Sequence, residues 1–250
     1  MILVLTYHKV LSAVDRQSDF YSVLASQLEY HIDVLRNNEF SILSPLELLG
    51  GQPQVNRTCV LTFDDGTIDH FELVKPILEE RNCRGLFFVP TSKLNKPGRL
   101  SSEQVRRLSE SGHAIGSHSH EHTRLDILPE EDVRAQIEVA RQNIQQIIGK
   151  PPVFFAPPGG FTNPVVRRVA EESQVKVIRT MRWGYNKAPD FLDLSCVPIN
   201  RFFTETEFSQ IVEGRNLQFK YRAKQIAKSL IPARMYEPIR AFFFDAARRN

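Results

Sequence analysis

Apolar residues along this chain fall into two alternating kinds of run. Short, nearly continuous stretches rich in β-branched and aromatic residues recur at Ile2–Tyr7, Cys59–Phe63, Gly85–Val89, Ala114–Ser117, Val153–Phe155, Val175–Thr180 and Leu194–Ile199. Runs of that kind predict strands buried on both faces. Between them the spacing becomes that of a helical face. Phe20, Val23, Leu24, Leu28, Ile32 and Leu35 form one stripe, and Val133, Ile137, Ala140, Ile144 and Ile147/Ile148 another. Gly149 and Pro151-Pro152 mark the end of the second helix. Ser101 or Ser102 caps a third, with Glu103 in its first turn and Gly112 at its end.

Strand–helix alternation predicts an α/β fold, a parallel sheet with helices outside it. Seven or so strands predict a closed or nearly closed barrel, and 250 residues suffice to build it as one large domain. In such barrels catalytic groups gather where strands end and loops lead into helices. The one compositional boundary lies near Gly214, dividing residues 1–214 from a tail, 215–250.

Composition adds little: 42% hydrophobic and 24% charged residues are ordinary for a globular protein. No apolar stretch reaches the roughly 20 residues of a membrane span. The opening MILVLTYHKV lacks a basic start and is too short for a signal-peptide core, so it reads as a strand; the expected location is cytoplasmic. Cys59, Cys83 and Cys196 are far apart in apolar runs, which predicts buried thiols rather than a metal-binding or disulfide framework.

Charge is distributed unevenly. The tail carries nine Lys/Arg against Glu237 and Asp245, so it holds +7 of a chain whose net charge is +3. These bases interleave with Phe219, Tyr221, Ile226, Leu230, Ile231, Met235, Ile239 and Phe242–Phe244. The pattern fits a helical tail packing back on the barrel with a solvated basic face. It also fits an interfacial helix pair resting on anionic lipid at the inner face of a membrane. Nothing in it resembles a nucleic-acid-binding module. Oligomeric state is not legible.

Three motifs carry chemistry. Leu61-Thr62-Phe63-Asp64-Asp65-Gly66 ends one apolar run with two adjacent carboxylates. Asp-Gly is common turn chemistry, but paired carboxylates at the end of a buried strand are costly to desolvate without positive charge. His118-Ser119-His120-Glu121-His122 follows another run, and imidazoles four apart can converge on one ion from a single turn. His120, between them, would point elsewhere. One carboxylate and two imidazoles can hold a divalent cation with positions left open, while the second carboxylate takes a proton from water. The third motif, Phe154-Phe155-Ala156-Pro157-Pro158-Gly159-Gly160, is a stiff loop that could be a plain turn or could present a backbone N–H to a developing oxyanion.

Together and in this order, the motifs resemble the polysaccharide deacetylases, carbohydrate esterase family 4 with its NodB-homology domain. Thr62–Gly66 matches that family's TFDDG, and His118–His122 its H-[ST]-x-x-H. Leu5-Thr6-Tyr7-His8-Lys9-Val10 resembles the opening strand of exopolysaccharide-type members. Phe20–Leu49, with Gln27-Leu28 and Ser44-Pro45-Leu46-Glu47, resembles the elements after it. The resemblance covers roughly residues 1–200. It implies a distorted (β/α) barrel of about seven parallel strands and a metal-dependent hydrolase that removes N-acetyl groups from amino sugars of an oligosaccharide, polysaccharide or glycolipid.

The resemblance assigns Asp65, His118 and His122 to the metal, zinc first with cobalt or nickel as alternatives. Asp64 would be the general base, Ser119 would orient the loop or a ligand, and the backbone N–H near Gly159 would complete an oxyanion site. Pro158 joins Ser119 beside metal or substrate. Trp183 either packs plainly or stacks on sugar beside a cleft, its neighbours Gly184 and Asn186 suggesting a loop.

The chain also departs from the pattern. Ala156 stands where the family usually has an arginine, and Gly159 where it has an aromatic. No histidine occurs after His122 to act as the family's late general acid. Either Asp64 returns its proton to the leaving amine, or His8 or His70 approaches from elsewhere; Arg179, Arg182 or Arg201 could replace the arginine. Two other functions remain open: cleavage of a small non-sugar amide, and glycan binding without catalysis.

Overall fold

The computed structural model describes residues 1–13, 18–50 and 57–215. Its first strands are β1 (Ile2–Tyr7), β2 (Lys9–Leu11) and β3 (Ser22–Leu24), followed by helix α1 (Ala25–Asn37) and a two-residue strand β4 (Ser41–Ile42). Strand and helix then alternate: β5 (Thr58–Phe63), α2 (Lys75–Glu80), β6 (Gly85–Val89), α3 (Ser102–Glu110), β7 (Ala114–Ser117), α4 (Glu130–Ile148), β8 (Phe154–Phe155) and α5 (Pro164–Glu172). The last elements are β9 (Val177–Trp183), β10 (Leu194–Pro198) and α6 (Glu205–Val212).

Seven strands close into a parallel barrel in the order β1-β10-β9-β8-β7-β6-β5, with β1 paired to β5 along its whole length. Strand β4 lies against the first residues of β5. Every residue of β1, β5, β6, β7 and β8 is buried, as the unbroken apolar runs predict for strands covered on both faces. Each of the seven expected strands is present; β9 extends beyond Thr180 to Trp183.

Helix ends follow local chemistry. Ser101 caps α3, accepting from the Gln104 N–H, while the Gln104 side chain accepts from the Ser101 N–H at 2.8 Å. In α4 the first turn holds Glu130, Glu131 and Asp132 at the positive end of the helix dipole, and Gly149 closes it at φ 73°. Its Val133, Ile137, Ala140 and Ile144 are buried, as expected.

The first helical stripe was too long. Phe20, Val23 and Leu24 precede α1: Ser22–Leu24 is β3, paired in parallel with β2. The Gln27 side chain accepts from the Leu24 N–H at 2.9 Å and starts the helix at Ala25. Val23 is fully buried in the strand, as a helical core position would also require, so burial periodicity did not expose the junction. All three cysteines are buried and free. No helix among the described residues is long and apolar enough to cross a membrane. Residues 216–250, with nearly all of the basic tail, lie outside the described residues.

Candidate active site

The first motif turns sharply as β5 ends. The Asp64 N–H donates to the Tyr7 carbonyl at 2.9 Å, tying the turn to β1. Asp65 and Gly66 then both take positive φ, 75° and 56°, and Arg99 donates to the Asp65 carbonyl at 2.8 Å. This left-handed step sends the two adjacent aspartates in different directions. Aspartate is among the few non-glycine residues that tolerate it.

The histidine motif leaves β7 as a loop rather than the helical turn that the four-residue spacing suggested. Ser119 and His122 have φ of 61° and 65°, and Ser119 Oγ accepts from the His122 N–H at 3.1 Å. The loop folds back, and His122 arrives beside His118 with ring centroids 4.8 Å apart. Spacing foretold the convergence but not its backbone, because left-handed residues at Ser119 and His122 bring i and i+4 together as a helix does. His120 points away and its Nδ1 lies 2.8 Å from Thr91 Oγ1.

Three donor atoms meet here. Asp65 Oδ1 lies 3.0 Å from His122 Nε2 and 3.5 Å from His118 Nε2, and one ligand atom from each residue falls within 4.8 Å of the others. A cation bound at zinc–ligand distances spaces tetrahedral donors by about 3.4 Å. His118 Nδ1 donates to the Ala156 carbonyl at 2.6 Å; a carbonyl only accepts, so Nδ1 carries a hydrogen and Nε2 is the nitrogen turned toward Asp65 for a cation. The donor set therefore fits a divalent cation. Ala156 holds the His118 imidazole through its backbone carbonyl, a contact independent of its side chain.

Asp64 lies beside this group, its Oδ2 4.0 Å from His118 Nε2; it is 2% exposed and held by Arg179, whose Nη2 donates to both carboxylate oxygens at 2.5 Å. Arg179 rises from β9, is itself 1% exposed, and lies over the Phe88 ring at 5.0 Å. Of the three arginines open in the sequence, this one reaches Asp64. Arg182 pairs with Asp193, and Arg201 donates to the Ser18 carbonyl.

Electrostatics follow the geometry. Burial alone would raise the Asp64 carboxyl, but Arg179, His118 and His8 hold it below the ordinary value. Burial likewise opposes ionisation of Asp65, which its contacts with His118 and His122 depress well below the usual range. Burial would lower His118; Asp65 and Asp64 outweigh it and raise the imidazole. His8, just after β1, places Nε2 3.9 Å from Asp64 Oδ2, and burial lowers its pKa despite both carboxylates. The cluster as a whole favours added positive charge.

Pro158 is buried and Gly159 and Gly160 have φ of 66° and 71°. Phe161 lies where a Cβ at Gly159 would come within 2.9 Å of its ring, and Arg124 sits 3.7 Å over that ring. An aromatic thus stands at this loop two residues later than the family pattern has it. Trp183 is not in a loop: it ends β9, is 8% exposed and packs in the main core near Tyr185. Its apolar surface is used by the core, so the packing reading suits its place.

Fold and site define a class, a closed parallel barrel whose candidate reactive groups sit where strands end. The polysaccharide deacetylase profile matches residues 51–178, and the chain belongs to that family. YxkH of Bacillus subtilis (strain 168) is 23% identical over 174 residues, covering 68% of this chain and 61% of its own. The peptidoglycan-N-acetylglucosamine deacetylase PgdA of Listeria monocytogenes is 32% identical over 141 residues, 54% of this chain but 28% of PgdA. The chain thus spans less than two thirds of these relatives. Among solved structures, the Streptococcus pyogenes deacetylase PplD superposes with TM-score 0.76 at 18% identity, covering 84% of this chain and 96% of that one. IcaB from Ammonifex degensii gives 0.74 at 22%, covering 86% and 97%. At those identities the superpositions show the fold alone.

Proposed function

We propose that the protein is a metal-dependent N-deacetylase acting on an N-acetylated amino sugar within an oligosaccharide, polysaccharide or glycolipid. The observation that carries this reading is the difference between adjacent aspartates, Asp65 facing two imidazoles and Asp64 bonded through both oxygens to a buried arginine. The family and the name of PgdA supply the substrate class.

Asp65, His118 and His122 would hold the cation, zinc first, with cobalt or nickel as alternatives. When bound, it supplies Lewis acidity to the attacking water and the acetamide oxygen. Asp64 removes a proton from that water, and Arg179 keeps its carboxylate ionised and oriented. The backbone N–H at Gly159 donates to the oxyanion of the tetrahedral adduct. Ser119 holds the loop that presents His122, and Pro158 stiffens the loop that presents Gly159. The adduct then releases acetate and a free amine.

The test is acetate release from N-acetylhexosamine oligomers, with and without chelator. Release that chelator abolishes and zinc restores supports the reading. Asp64→Asn should then lower kcat by about 10²–10⁴-fold, the usual contribution of a general base. Glycan binding with no release under zinc, cobalt or nickel would favour a non-catalytic glycan-binding protein, and release only from small cyclic amides would move the substrate away from sugars. The basic tail belongs to the same proposal as a contact for anionic membrane, suiting a lipid-linked sugar.

A further inference from the structure

The end of the barrel that bears Asp64 also carries a row of aromatic rings outside the metal group. Strand β1 lies between β5 and β10, so the loops after all three open on the same face. The Asp64 N–H donates to the Tyr7 carbonyl at 2.9 Å and the Ile199 N–H to the Thr6 carbonyl at 2.8 Å, which sets the three strand ends level. The row begins beside Asp64, where His8 Nε2 lies 3.9 Å from Oδ2. Tyr21 stacks on the His8 ring with centroids 4.4 Å apart. Phe20 meets Tyr21 edge-on at 5.0 Å, and Phe202 meets Phe20 at 5.8 Å. The rings thus run from the reacting end of the site to the outer wall beyond β10.

Phe202 is the outermost and, at 59% exposed, the most exposed large apolar side chain among the described residues. Single exposed apolar residues are common on protein surfaces. Phe202 differs because it joins this row and because its backbone is pinned. The Arg201 N–H donates to the Phe20 carbonyl at 3.1 Å, Arg201 Nη1 to the Ser18 carbonyl at 2.6 Å, and the Phe202 N–H to Asn200 Oδ1 at 3.1 Å. These bonds tie the loop after β10 to the segment before β3. The next residue, Phe203, is 3% exposed in the main core, so the loop already has its apolar anchor. Phe202 is therefore held in water where packing does not require it. Arg201 lies over its ring at 5.3 Å. A sugar ring presents a C–H face between hydroxyl edges, and an aromatic with a polar group at its margin matches both. An acyl chain needs no such polar neighbour.

We infer that Phe202, with Phe20 and Tyr21, forms a stacking subsite for a sugar unit remote from the one whose acetamide reacts, so that the substrate is an oligomer or polymer rather than a monosaccharide. This rests on the deacetylase reading above. The reacting unit sits beside Asp64, and Phe202 lies three ring contacts away along the same glycan chain. Phe202 is a specificity-determining residue: binding at the remote unit favours long substrates over short ones that cannot reach it.

The intact chain, loaded with zinc, tests this on the disaccharide and the hexasaccharide of N-acetylglucosamine. Wild type should show kcat/KM on the hexamer at least about tenfold above the dimer, the worth of one added aromatic contact. Phe202→Ala should lower kcat/KM on the hexamer about tenfold, and on the dimer at least about fivefold less; Phe202→Trp should restore the hexamer. Titration calorimetry with the hexamer, in the Asp64→Asn background so that nothing turns over, reads binding alone. There Phe202→Ala should weaken affinity about tenfold, with a urea midpoint unchanged because the side chain is exposed. Equal losses on both lengths, no loss on either, or a wild type that does not prefer the hexamer would overturn the subsite. Hexamer binding kept in Phe202→Ala, with self-association or vesicle binding lost instead, would assign the ring to a second copy or to lipid and overturn it too. Hexamer binding that depends on Phe202 in a protein releasing no acetate would uphold the subsite and overturn only the hydrolytic reading beneath it.

Discussion

Replacing Arg179 with methionine should expose how tightly the base and its partner are coupled. Methionine roughly conserves the volume beside Phe88 and Met181 and removes only the charge. Asp64 then remains 2% exposed with no cation donating to its two oxygens. Breaking a buried pair by removing one partner costs about 3–5 kcal/mol, because the survivor is left charged and desolvated. At an ordinary urea slope of about 1–3 kcal/mol/M, that moves the unfolding midpoint down by one to several molar. Asp64→Asn in the same background removes the stranded charge, so the double variant should recover most of the loss. The assay is urea unfolding followed by circular dichroism, in chelator so that metal does not contribute. A stability within about 1 kcal/mol of wild type for Arg179→Met would refute the coupling.

Three further outcomes are expected. Gly160→Ala should cost about 2 kcal/mol or more and lower deacetylation, because its Cβ would lie 2.2 Å from the Met181 backbone nitrogen at a φ of 71°; an unchanged midpoint contradicts this. Burial pushes His31 down to about 3 and His113 to about 4, so the fold keeps both neutral while the unfolded chain protonates them below about 6.5. Stability from these two groups is therefore complete above that pH and falls on acidification, by about 2 kcal/mol per pH unit between roughly pH 6 and 5; a flat urea profile there would rule it out. Full-length protein should bind phosphatidylserine-containing vesicles less as salt rises, and reversing Lys220, Arg222, Lys224 and Lys228 to glutamate should weaken it; equal partitioning ends the membrane reading.

The barrel was legible because its strands are buried on both faces, so that composition alone separates Leu3 to Leu5 or Phe87 to Val89 from helix stripes. The start of α1 was not, since Val23 and Leu24 satisfy a helical stripe and a short paired strand equally well. The donor set stood out because two carboxylates and two spaced histidines are rare at strand ends. The contacts that complete the site are long-range: Arg179 and Asp64 are 115 residues apart, and only closure of the barrel joins β9 to β5. A signal did exist, a charged residue inside the apolar run Val177-Ile178-Arg179, but it could not be told from Arg182 or Arg201 without the fold.

Metal stoichiometry tests the central claim most directly. Zinc bound per chain should be about one in wild type and in Asp64→Asn, while Asp65→Ala, His118→Ala and His122→Ala each lose at least about tenfold in affinity. Loss of zinc from Asp64→Asn, or its full retention in both histidine variants, would contradict the division between Asp65 as ligand and Asp64 as base.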